Sequence, residues 1–158
     1  MKNLLLAAGF IILSFSINAQ TNAEKITMVQ SIYGMDKREL IAKHMKLNAT
    51  QAPLFWQFYD EYEIQRKEIG QKRANNIISY ADKYEQMSNE DADKLIKTSF
   101  EINSSFIQLC EVTYKKMAKS LTPVIAAQFI QAEMFIENMI RQELSLDIPL
   151  IGEIELKK

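Results

Sequence analysis

The sequence predicts an all-α protein, built as a long antiparallel helical hairpin or elongated helical bundle. Three observations predict it. Helix breakers are scarce: the 158 residues hold four glycines and three prolines, so long stretches run without interruption. Between Ile96 and Leu121, apolar residues recur at alternating spacings of four and three, a helical period. No alternating apolar–polar run bounded by hairpin turns is present.

The chain opens with MKNLLLAAGFIILSFSINAQ. A basic Lys2, an apolar run from Leu4 to Phe15 and a small residue at Ala19 form the pattern of a secretory signal, here expected to span residues 1–19. The run is too short to span a bilayer comfortably. No cysteine lies near the cleavage point, so a lipid anchor is not expected there. The remainder is expected to form one helical domain over residues 20–146 and an extended tail over 147–158, exported to the periplasm without stable membrane insertion.

The first helix is expected from about Asn22 to Met45. Gly34 interrupts it, and DKRE (Asp36 to Glu39) restarts it in the manner of a capping box. The second runs from about Ala49 to Met87. Asn48 suits its N-cap, and Gln51 three residues later completes a box. Pro53 removes a hydrogen bond unless the helix starts close to Thr50. At ~1.5 Å per residue such a helix is roughly 60 Å long, longer than a domain of this size is wide. It must project, curve or pair with a second chain, so a homodimer is expected.

The third helix starts at MSNED, where Ser88 caps and Asp91 stands three residues on. It continues to about Leu121. Ile96, Phe100, Asn103, Ile107, Cys110, Tyr114, Met117 and Leu121 form a heptad seam along it. Asn103 either fixes register against a partner helix or turns to the seam's edge and meets water. The fourth helix begins at LTPV: Thr122 caps, and Pro123 takes the first helical position, where its missing N–H costs nothing. It ends near Leu146. The tail DIPLIGEIELKK is then extended, because Pro149 disfavours a helical Ile148.

Composition narrows the function. The formal net charge is −1 and becomes −2 once Lys2 is removed, which argues against bulk nucleic-acid binding. Cys110 is the single cysteine, so no internal disulfide forms, and its apolar setting predicts a buried thiol. His44 is the single histidine. No nucleophile, base and oxyanion donor come together, and there is no glycine-rich phosphate loop, so no enzyme and no cofactor are expected. His44, Cys110 and the methionines are scattered, which predicts core filling and no metal site.

One face of the second helix stands out. Tyr59, Tyr62, Arg66, Ile69, Arg73, Ile77 and Tyr80 follow helical spacing. Rings, aliphatics and guanidinium groups together form a surface able to hold an unfolded client polypeptide. The alternative is that the rings are core and the arginine stems lie over them.

LNATQ (Leu47 to Gln51) resembles the Leu-Thr-x-x-Gln signature of the Spy/CpxP family of bacterial periplasmic proteins. Asn48 stands where the family has its capping threonine. LTPVI (Leu121 to Ile125) begins like a second copy, with Ile125 in the place of glutamine. The run FWQFYDEYEIQRKEI, the MSNEDADKL start and the late IPLI are similar to a subgroup of small secreted helical proteins. The resemblance implies a hooked helical hairpin that dimerises into a cradle. It implies an ATP-independent chaperone of envelope stress, or a regulator working with a membrane signalling protein. Leu47, Gln51, Leu121 and Thr122, with Asn48, carry it as caps and anchors.

Overall fold

The computed structural model describes residues 37–148, 150 and 151. The expected signal, Gly34, the upstream part of the first helix, Pro149 and the last seven residues lie outside the described residues. Four helices and no strand are found among the described residues: α1 (residues 37–45), α2 (Ala52–Lys83), α3 (Asn89–Ser120) and α4 (Pro123–Asp147). A short 3₁₀ turn, Tyr84–Gln86, joins α2 to α3.

Ser88 and Thr122 cap α3 and α4 as expected, whereas α2 has Gln51 at its N-cap, without a side-chain cap bond, and the expected Asn48 lies in the turn before it. Asn48 Oδ1 accepts from the backbone N–H of Thr50 (3.0 Å) and of Gln51 (2.9 Å), and the Asn48 N–H donates back to Gln51 Oε1 at 3.2 Å. This reciprocal box precedes a helix that starts at Ala52, three residues later than expected. Pro53 thereby falls in the first turn, where no intrahelical partner is missing. Ser88 Oγ accepts from Asp91 N–H at 3.1 Å and donates to its carboxylate at 2.6 Å. Thr122 Oγ1 accepts from Ile125 N–H at 3.2 Å. Between α1 and α2, Lys46 holds φ at 45°, a left-handed conformation that costs a non-glycine residue about 1 kcal/mol.

At 32 residues, α2 is shorter than the sequence predicts, roughly 48 Å. It packs antiparallel on α3, and α3 on α4. Register is visible in the cross-links: Asn76 donates to Ser99 Oγ (3.0 Å) and Leu95 C=O (3.2 Å), and Lys116 reaches Glu61 at 3.4 Å. The core gathers Ile41 and Met45 of α1, Phe55, Tyr59, Tyr62 and Ile69 of α2, Ile102, Phe106, Leu109 and Met117 of α3, and Phe129 of α4. Phe129 meets three rings edge-on, those of Phe55, Tyr59 and Tyr62, at 5.5, 5.9 and 5.2 Å between centroids.

The α3 seam needs correction. The buried stripe is Leu95, Ile102, Phe106, Leu109, Cys110, Thr113 and Met117. Cys110 and Met117 belong to the expected seam; Ile96, Phe100, Ile107 and Tyr114 lie outside it and are exposed. Ile96, Ile107 and Tyr114 each directly follow a buried residue, a rotation of about 100° around the helix, and Phe100 lies two residues before Ile102. Both stripes carry the same period, and packing selects the one that faces α2 and α4.

Candidate functional site

The aromatic–arginine face of α2 is not a free surface. Tyr59, Tyr62 and Ile69 are buried. Arg66 and Arg73 both bind the Glu137 carboxylate of α4. Arg66 also lies over the Phe106 ring, 5.3 Å from its centroid. Ile77 is half-buried, and Tyr80 is half-buried beside the Tyr84 ring at 5.7 Å. The correction has a physical reason. The helix must bury its only continuous apolar stripe, and the two arginines on that stripe find a carboxylate far along the chain. These residues hold the bundle together.

Glu133 and Glu137 are not anticipated by the sequence patterns. Their side chains are 1% and 2% exposed. They stand on α4 in one stripe with Ala126 and Phe129. Acidic residues interrupting an apolar stripe were the available signal, together with two arginines seven residues apart on α2. Glu137 receives Arg66, Arg73 and Arg141, the last at 2.8 Å. Arg141 also donates to Asn103 Oδ1 at 2.7 Å, which gives the polar seam residue its partner within the chain. Glu133 Oε2 accepts from Lys37 Nζ (2.7 Å) and the Tyr62 hydroxyl (2.8 Å), while Oε1 has no partner among the described residues.

Electrostatics separate the two carboxyls. Burial raises Glu133, and Lys37 with the Tyr62 hydroxyl only partly opposes it. Burial also acts on Glu137, yet its guanidinium partners outweigh that and hold the carboxyl below its ordinary range. Burial pushes the Cys110 thiol up to about 11, with the Glu133 charge adding to it.

The family-signature positions are structural. Thr122 caps α4, while Asn48 and Gln51 bond each other in the turn ahead of α2, whose N-cap position is Gln51 and carries no side-chain cap bond. Leu47 and Leu121 are half-buried and pack against the core.

The accessible apolar surface lies elsewhere. On α3, Ile96, Phe100, Ile107 and Tyr114 form a stripe by spacings of four, seven and seven, with Phe100 63% exposed. On α4, Val124, Met134, Phe135 and Met139 are exposed. Between α2 and α3 runs a groove of about 440 Å³. Ile69, Leu95 and Ile102 line its apolar part, and Lys72, Asn75 and Lys94 are among its polar walls. This arrangement offers van der Waals contact to apolar side chains, with amides and ammonium groups for carbonyls and carboxylates.

The chain matches no protein-family model, no curated protein and no solved structure.

Proposed function

We propose that this chain is a non-enzymatic, polypeptide-binding protein of the bacterial periplasm, acting without nucleotide in the manner of an envelope-stress chaperone. The observation that supports it is the α3 stripe. Four large apolar residues in helical register stand open to water on α3, beside the stripe that is already buried. Contiguous exposed apolar surface marks a place for another polypeptide. The neighbouring groove adds polar contacts suited to an extended chain. The reading moves the client surface from the α2 face to α3 and α4. A homodimer covering part of the stripe belongs to the same proposal.

The test is a light-scattering titration. The chain is mixed, without nucleotide, with a protein that aggregates as it unfolds. Suppression near stoichiometric amounts is expected. A folded, helical preparation that leaves aggregation unchanged at tenfold excess contradicts the proposal.

A second reading draws on a different observation. Leu150 and Ile151 are exposed where the chain leaves α4, while the Leu150 carbonyl accepts from the Tyr84 hydroxyl at 3.2 Å. An apolar segment presented this way suits strand addition to one regulatory partner in the envelope. Deleting residues 150–158 should then abolish capture of that partner and leave the melting curve in place. A collapsed melting curve instead assigns the segment to the bundle.

A further inference from the structure

We infer that the α2–α4 surface beneath α1 is a docking groove for a basic amphipathic helix of another polypeptide, and that α1 is its exchangeable occupant within the chain.

The groove is built for cations and aliphatics together. Asp60, Glu63 and Glu133 supply carboxylates, and Trp56, Tyr59 and Tyr62 supply ring faces that attract cations. Lys37 sits between two of the carboxylates, 2.6 Å from Glu63 and 2.7 Å from Glu133, and 5.4 Å from the Tyr62 ring centroid. Arg38 lies 4.4 Å over the Trp56 ring and pairs with Asp60. Ile41 and Met45, at four-residue spacing from Lys37, fill the apolar floor and are fully or nearly buried. The occupant's chemistry is therefore explicit: a Lys-Arg pair, then aliphatic residues four and eight positions after the lysine.

The fit is incomplete in ways that favour exchange. Glu133 Oε1 is left buried with no hydrogen-bond partner among the described residues. The Arg38–Asp60 pair is about half exposed on both sides and contributes little in water. The link to α2 holds a non-glycine residue, Lys46, in the left-handed region. An incoming helix that also satisfies Glu133 Oε1 competes with a segment that leaves this oxygen unpaired. The chain's own α1 competes at an effective concentration in the millimolar range. Apparent affinity for a partner therefore scales with the fraction of molecules in which α1 is displaced.

This surface is separate from the α3 stripe, so stripe variants that lose client suppression leave the inference standing. The test uses the full chain and a synthetic peptide of residues 37–47, KRELIAKHMKL, with a quencher at its amino end. Trp56 is the only tryptophan and lies under Arg38, so its emission reports arrival at the groove. Weak quenching is expected for the unmodified chain. Arg38→Ala and Ile41→Ala in the chain loosen α1 and should tighten peptide binding at least tenfold. A peptide with Lys37→Glu should not quench. Equal affinity for all three chains, or no quenching at millimolar peptide, overturns the inference. If Ile41→Ala fails to fold, Arg38→Ala decides alone, since it lies at the exposed edge.

Discussion

Glu133 and Glu137 stand one helical turn apart on α4, and their carboxyls are pushed in opposite directions. One is buried against a single shared lysine and a tyrosine hydroxyl; the other is gripped by three arginines. This pair ties α1 and α2 to α4, and it makes acid stability a two-sided property.

The signs are set by linkage. Glu137 has a folded-state pKa below its unfolded value of about 4.5, so its contribution is present above that value and is lost as pH falls through the folded pKa. Glu133 has a raised folded-state pKa, so its neutral form favours folding and its contribution fades as pH rises from about 4.5 through the folded pKa. Glu137→Gln leaves guanidinium groups buried without a counter-charge and should cost about 3–5 kcal/mol at neutral pH. Glu133→Gln should change stability at pH 7 by less than about 1 kcal/mol, because it removes a charge that burial disfavours. It should also flatten the fall in stability above pH 4.5. Urea melts of both variants between pH 4 and 8 check this.

Phe129 is the centre of the ring cluster and is fully buried. Phe129→Ala should cost about 3–5 kcal/mol, the usual range for emptying a core aromatic site. Phe100→Ala, on the exposed stripe, should stay within about 0.5 kcal/mol of the parent chain. Thermal unfolding followed at 222 nm gives both values, and a loss at Phe100 as large as that at Phe129 would contradict the place of Phe100 on the exposed stripe of α3.

Much of the scaffold was legible in the sequence because its signals are local. Ser88 with Asp91 and Thr122 with Ile125 set helix starts through bonds spanning three residues, and Pro123 takes the first helical position as expected. Asn48 and Gln51 likewise form their box. The faces were less legible. On α3, Ile96 and Leu95 head two stripes of equal period, and only tertiary packing tells them apart. On α2, the aromatic–arginine stripe reads either as a client surface or as core with arginine stems over it, and local spacing does not choose between them. The arginines' partner, Glu137, lies 71 residues beyond Arg66, and nothing local announces such a pairing. Burial decides for the core reading, and the accessible apolar surface lies along α3.

Cys110 gives a simple probe of native packing. Its thiol is buried and pushed up to about 11, so the reactive thiolate is scarce at pH 8. A disulfide reagent should label the native chain at the rate of its opening and the unfolded chain at once. Immediate labelling of the native chain would contradict the burial of this side of α3.

The central claim is that the α3 stripe binds polypeptide while the α2 face holds the fold. The measurement that tests it most directly compares the parent chain with Ile96→Ser/Phe100→Ser/Ile107→Ser in suppressing aggregation of an unfolding client, with melting curves recorded on the same samples. The account predicts an unchanged melt and a loss of at least tenfold in suppression. Full suppression by the triple variant would contradict it.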